Sequence, residues 1–317
     1  LFGLWRRHKV VSPPSESPLR VLTPLIVGVL LLVPLAGRTL AQEPEPPRGS
    51  AMLICYPNAP GTSRQAQPVM DQFGRYLSSH LGEPTRPEYF SALKPAVQWL
   101  QTKRPRFGIL SLSMFLRWRK EHGLTVVALS ERQGAVEQRF HLLVGERSPL
   151  KTLEDLSTLG RTAHIWSSLL DEVPFATRVV FANRIPLGGK SPIQVASTTQ
   201  PLRALRRLKK GSLFKDTPVD AVLVDAVTWS GLQRLKTFKG ALRVLYTSRA
   251  LPTPPVVAFR GVESARREKL GNALTKMGAE PGDDEGQRLL RTLQVTGFRL
   301  PLPNSMAKAI AAFEGSQ

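Results

Sequence analysis

The sequence predicts an α/β protein of two lobes with a hinged cleft between them, and three observations predict it. Short apolar runs alternate with stretches of helical periodicity along most of the 317 residues. That alternation argues for open sheets joined by helical crossovers. Two polar segments, Ser130–Gln138 and Thr247–Pro255, interrupt it where the chain would pass between lobes. The length also exceeds what one compact core normally serves, so two lobes of about 100–150 residues are the default.

The strand candidates are Ala51–Tyr56, Phe107–Leu110, Thr125–Leu129, Arg139–Val144, Thr162–Trp166, Ala221–Val224, Leu242–Tyr246 and Val256–Phe259. Between them, apolar residues fall at helical spacing, as in Val69, Phe73, Tyr76 and Leu77, and again over 91–102, 112–121 and 199–210. After the last strand the chain reads as helical from Glu263 to Leu293, with a break at Pro281–Asp284. Asn304 is placed to cap a final helix through Phe313. This helical tail is expected to pack on the first lobe. The predicted organisation is lobe I over 51–130 plus 256–317, lobe II over 139–247, and hinge crossings at 131–138 and 248–255. A double crossing of this kind builds a cleft that opens and closes.

The N-terminus predicts export. A basic stretch ending at Arg20 precedes Val21–Leu35, an uncharged run of 15 residues broken by Pro24 and Pro34. A bilayer span needs about 20 apolar residues. Thr39 and Ala41 then offer a cleavage site before Gln42. Residues 1–41 are thus expected to be a signal peptide, with an uncleaved membrane anchor as the alternative, and 42–50 a Pro/Glu-rich linker. The single cysteine, Cys55, forms no internal disulfide and lies in an apolar run, where a buried structural thiol is expected.

The formal charge is +20, of which +16 lies beyond residue 41. Such a field attracts anions, whether small phosphorylated compounds or lipid head groups. Nucleic acid is not an expected partner: no groove-reading motif or interleaved aromatic platform accompanies the charge. The five histidines stand apart from one another and from cysteine, so no metal site is expected, nor any cofactor. No Gly-x-Ser-x-Gly elbow is present. Gly188-Gly189-Lys190-Ser191 lacks the upstream glycine of a phosphate loop, Arg184 standing there instead, and reads as a turn. The run Arg203, Arg206, Arg207, Lys209, Lys210 reads as the solvated face of a helix. An enzyme is not expected: a base and a nucleophile would have to converge in the cleft, and the sequence offers only scattered candidates.

Three strand ends feed polar turns ahead of helices, where unpaired N–H groups and the helix dipole suit an oxyanion. They are Tyr56 to Thr62, Ser111-Leu112-Ser113, and Ser167-Ser168. Each hydroxyl either bonds a ligand or caps its own helix. Asp220 and Asp225 bracket a strand, and either could serve as a helix cap. Trp166 and Trp229 are core residues or part of a cleft wall.

These segments resemble the substrate-binding proteins of phosphate, phosphite and phosphonate ABC transporters, which have the type II periplasmic binding fold. The resemblance is carried by Tyr56-Pro57, by Phe107 to Ser113, by His141 to Val144, by Leu153-Glu154-Asp155-Leu156, by Asp220 to Asp225, and by Leu245 to Phe259. It implies that Ser167 and Ser168 lie in an oxyanion-binding turn. It further implies that Tyr56, Phe90, Ser111 and Ser113 come from lobe I, with Asp225 or Asp220 on the far wall. The family's turn is Ser-Thr-Ser-Gly; here Ser167-Ser168 is followed by Leu169-Leu170-Asp171-Glu172-Val173-Pro174, poorer in hydroxyls and richer in carboxylates. The resemblance implies a periplasmic protein that captures a small anion for an ABC permease. The alternative on the same clamshell is a ligand-sensing protein with no role in transport.

Overall fold

A computed structural model describes residues 50–57, 62–168, 172–214, 216–301 and 303–315. The expected export segment, all of the linker but Ser50, and residues 58–61 and 169–171 lie outside these. In chain order the elements are β1 (Ser50–Cys55), α1 (Ser63–Leu81), β2 (Thr85–Phe90), α2 (Leu93–Lys103), β3 (Phe107–Leu110), α3 (Leu112–His122) and β4 (Thr125–Glu131). There follow β5 (Glu137–Gln138), β6 (Phe140–Gly145), β7 (Ala163–Ser167), a π-helical segment Phe175–Val180, β8 (Ile193–Ser197), α4 (Pro201–Lys210), β9 (Ala221–Asp225) and α5 (Ala226–Arg234). The chain ends with β10 (Leu242–Thr247), β11 (Leu251–Pro252), β12 (Pro255–Ala258), α6 (Ser264–Lys276), α7 (Asp284–Leu293), β13 (Gly297–Arg299) and α8 (Pro303–Glu314).

Two sheets result. One has six strands in the order β13-β4-β12-β3-β1-β2, the other five in the order β10-β6-β9-β7-β8. The chain passes between them after β4 and returns after β10, and at these passages β5 and β11 pair antiparallel. Strands β1, β2 and β3 run parallel, as do β7, β8 and β9. Their carboxyl ends therefore face the junction where the chain crosses.

Five strands escaped the sequence reading: the short pair β5 and β11, and β2, β8 and β13, each of the last three at a sheet edge. Strand β2 contains Arg86, Pro87 and Glu88, a composition an edge tolerates because one side needs no ladder. Strand β8 buries only Ile193 fully. Strand β13 lies between the two stretches read as helical, Glu263–Leu293 and the last helix through Phe313, and Asn304 lies inside α8 instead of capping it.

The last helix also packs differently. α8 was expected on the first lobe alone, yet its Met306, Ala309 and Ala312 belong to a cluster that reaches both sheets. That cluster joins Leu53, Leu110 and Phe115 to Leu142, Ile165 and Phe175. Polar contacts follow the same course: Glu314 pairs with Arg119 of α3, while Arg178 of the π-helical segment donates to the Phe313 carbonyl at 2.8 Å. The described residues accordingly form one compact unit. The Gly188–Ser191 segment is a turn, with both glycines at positive φ and the Ser191 amide bonded to the Gly188 carbonyl.

One loop fastens the helical tail to the first sheet. The Asp283 carboxylate accepts from the amides of Gly278 and Gly286 and from the Tyr76 hydroxyl of α1, at 2.7, 2.8 and 2.8 Å. Burial pushes its pKa up, but these bonds outweigh burial and hold it below the ordinary range. Asp283→Ala strands three donors and should cost about 1–3 kcal/mol by denaturant unfolding. A depressed carboxyl pKa stabilises the fold above the unfolded value and loses that effect as pH falls through the folded one. The variant should therefore lose less stability than the parent between neutral pH and about pH 3.

Candidate functional site at the junction of the sheets

The passage after β4 opens with a tight turn. Arg132 and Ala135 exchange backbone hydrogen bonds at 2.8 and 3.0 Å around Gln133 and Gly134. Both central residues have positive φ, 51° and 80°, the type I′ geometry that favours glycine. The Gly134 amide bonds the Thr296 hydroxyl at 3.2 Å, and the Thr296 amide bonds the Glu131 carbonyl at 2.8 Å. Arg299 pairs with Glu131, whose carboxyl is held low by that arginine and the Thr296 hydroxyl against burial. The backbone of Arg132 is thereby fixed.

Its guanidinium reaches the carboxyl end of the second sheet. Nη1 lies 3.4 Å from Asp225 Oδ2, while Asp225 Oδ1 accepts from the Thr228 amide at 2.7 Å and caps α5. Charge-assisted N–H···O bonds usually run 2.7–2.9 Å, so the Arg132–Asp225 contact is loose. Arg132 Nε is buried and has no partner among the described residues. The return passage repeats this feature, for Nε and Nη2 of Arg249 are also buried without partners there. Buried guanidinium donors lacking acceptors are costly and rare in folded proteins.

Tyr56 extends from the end of β1, its amide bonded to the Phe90 carbonyl at 3.1 Å. Burial raises its phenol to about 12; Arg132 pulls the other way, and Tyr89 and Cys55 add to the rise. Tyr56, Arg132 and Asp225 thus form one electrostatic group drawn from both sheets and the passage between them.

The remaining residues singled out in the sequence are placed unequally. Phe90 is buried against Trp99, ring centroids 5.6 Å apart. Ser111 caps α3 through the Met114 amide, and its Oγ lies 2.9 Å from that of buried Ser113. These stand at the ends of β2 and β3, beside Tyr56. Ser167 is fully buried in β7 and donates to the Leu223 carbonyl at 3.1 Å, while Ser168 is half-buried beyond it. Asp220 does not share the site with Asp225. It precedes β9, about 16 Å away at the usual rise per residue, where it pairs with Arg161 and accepts from the His164 amide at 2.8 Å. Trp166 and Trp229 pack in the core, Trp166 edge-on to Phe214 with centroids 4.8 Å apart.

The segment after Ser168 departs most from expectation. In place of an α-helix opened by hydroxyls, a π-helical stretch follows, and near its start Glu172 pairs with Arg117 of α3. A carboxylate already answers the positive end of that segment. Arg132 and Arg249 escaped notice in the sequence because they lie in crossings read only as polar links. An arginine in each of two such segments was the available signal.

A family model described as "ABC transporter, phosphonate, periplasmic substrate-binding protein" matches residues 216–305, a stretch that includes Asp225. The resemblance read from the sequence is thus matched over 90 of the 317 residues, by a family described as a substrate-binding component. No curated protein matches the sequence. Among solved structures, a Xanthomonas citri protein bound to ATP is 13% identical, with a TM-score of 0.65 over 84% of this chain and 98% of its own. PhnD1 of Prochlorococcus marinus in complex with methylphosphonate is 11% identical, with a TM-score of 0.58 over 85% of this chain and 100% of its own. A Pseudomonas aeruginosa binding component of an ABC phosphonate transporter is 13% identical, with a TM-score of 0.58 over 84% and 95%. At these identities the likeness concerns the fold, two lobes of the type II periplasmic binding class. No described helix is long and apolar enough to cross a membrane, and no described group of His, Cys, Asp and Glu could hold a metal ion.

All four tyrosines (Tyr56, Tyr76, Tyr89 and Tyr246) have phenols raised chiefly by burial. The neutral form is thus favoured by folding, which stabilises the protein below about pH 10 and ceases to do so as pH rises through the folded values. At pH 10 the native protein should show little tyrosinate absorbance, and the urea-unfolded chain about half its full signal.

Proposed function

We propose that this chain, with the fold of the type II periplasmic binding proteins and a match to their phosphonate-binding family, is an exported solute-binding protein. It captures a small oxyanion of the phosphate, phosphite or phosphonate class and presents it to an ABC permease. The observation that carries this reading is the guanidinium of Arg132, loosely held by Asp225 and retaining a buried donor with no acceptor among the described residues.

A tetrahedral oxyanion offers several acceptors and at least one negative charge, which a guanidinium meets with paired N–H donors. Bound there, the anion supplies the acceptor that Arg132 Nε lacks. Tyr56 adds a neutral phenol that stays protonated through the physiological range and can donate. Ser111, Ser113 and Phe90 line the first sheet's side, and Ser168 stands at the second sheet's edge. Ser167 adds its backbone more readily than its hydroxyl, which is already spent on Leu223. Asp225 limits the choice of ligand: it repels a fully ionised anion and tolerates one that keeps a proton. Occupancy shifts the balance between open and closed arrangements by its differential affinity for them. The lobe boundaries proposed for that movement are 51–130 plus 256–317 and 139–247.

Thermal unfolding and calorimetric titration with phosphate, phosphite and methylphosphonate test this reading. At one hundred times the dissociation constant, a true ligand adds about 2.7 kcal/mol of stability. Arg132→Ala should weaken binding by about 2–3 kcal/mol, roughly 30- to 150-fold, with Ser167→Ala nearly silent. Absence of any stabilisation by all three anions would reject the reading.

A further inference from the structure

We infer that the pole of the five-stranded sheet opposite the ligand site is a docking surface for an anionic lipid bilayer. Helix α4 carries Arg203, Arg206, Arg207, Lys209 and Lys210 within ten residues. It packs its apolar side, Ala204, Leu205 and Leu208, into a cluster with Leu232 of α5 and Phe238. Both helices therefore cover the same face of the sheet. Lys209 Nζ donates to the Thr237 carbonyl at 2.7 Å, which joins the end of α4 to a second basic segment holding Arg234, Lys236 and Lys239.

The place of these residues follows from the strand directions. α5 starts at Asp225 and runs away from the ligand site, and β10 begins at Leu242 opposite Gly145, the far end of β6. The segment between them thus lies at the distal pole, as does the end of α4. Seven of the eight cations are exposed, Arg207 being half-buried. None of the eight forms an ion pair among the described residues, whereas Arg106, Arg119, Arg184 and Arg266 elsewhere on the surface all do. From Arg184 to Tyr246 the only acids are Asp216, Asp220 and Asp225. Asp220 is paired with Arg161, and Asp225 lies at the other end of β9. Asp216 is left to offset the charge, together with Glu146, whose amide bonds the Ala241 carbonyl at 3.0 Å and which Arg147 follows in sequence.

A second observation selects the kind of partner. Leu213 and Leu235 are exposed by 52% and 46%, and belong to the few large apolar side chains so exposed among the described residues. Leu213 follows the end of α4 by three residues, and Leu235 lies between Arg234 and Lys236. Cations interleaved with protruding aliphatic side chains on an exposed surface suit a phosphate-bearing interface, where the charges meet head groups and the leucines enter the acyl boundary. A small anion would need a pocket that closes on it.

Co-sedimentation of the protein with phosphatidylglycerol-containing vesicles and with phosphatidylcholine vesicles tests the inference. Binding is expected to the former only, weakening steeply as salt is raised. Arg206→Glu with Lys210→Glu should reduce it at least roughly tenfold at low salt. Arg288→Glu with Arg291→Glu on α7, the same change in net charge on the other sheet, should leave it within about twofold. Leu213→Ser with Leu235→Ser should weaken it and leave the remainder more salt-sensitive. Circular dichroism and methylphosphonate titration confirm that each variant is folded; the vesicle readout stands whether or not that ligand binds. Equal losses in the two charge-reversal variants would reduce the effect to net charge and overturn the inference. Failure to bind phosphatidylglycerol while retaining a polyglutamate peptide would overturn it in favour of an acidic protein partner.

Discussion

A half-buried guanidinium whose buried Nε meets no acceptor among the described residues, and whose Nη1 reaches Asp225 only loosely, is the constraint around which this molecule is arranged. A guanidinium is a permanent cation in a protein, and burial of the Arg132 Nε with no acceptor among the described residues is unfavourable. Its position is not free to relax, because the type I′ turn at Gln133–Gly134 is pinned through Thr296 to Glu131. The direction of the parallel strands does the rest: β1, β2 and β3 deliver Tyr56, Phe90 and Ser111 to the junction, and β7 and β9 deliver Ser167 and Asp225. Electrostatic demand and topology therefore converge on one place.

The core qualifies the picture of two independent halves. A continuous apolar cluster runs from the six-stranded sheet through α8 to the five-stranded one. Relative movement of the sheets must keep that packing or slide along it, since exposing an aliphatic side chain costs about 1.5–3 kcal/mol. The ion pairs beside it, Arg119 with Glu314 and Arg117 with Glu172, are partly exposed and contribute little individually. Helix α8 is thus a tie whose apolar contacts, more than its charges, limit how far the sheets can part.

Much of this was legible in the sequence. Buried central strands such as Phe107–Leu110 and Ala221–Asp225 show themselves as apolar runs because both faces are covered. Edge strands β2, β8 and β13 do not, since an edge admits Arg86, Pro87 and Gln194 without penalty. The site was half legible. Tyr56, Ser111 and Asp225 follow from the rule that ligands gather at strand ends, but that rule could not tell Asp225 from Asp220 until the strand's direction was fixed. Nor could it show that Ser167 spends its hydroxyl on Leu223. Arg132 was hidden because its role depends on a turn and a long-range contact, neither of which leaves a local pattern.

A crystal structure with methylphosphonate is the most direct trial of the central claim. The account predicts an oxyanion on the Arg132 guanidinium, with Nε donating to it and the phenol of Tyr56 within hydrogen-bonding reach. An anion seated instead on the amides after Ser168, with Arg132 still turned to Asp225 and Nε unmet, would contradict it.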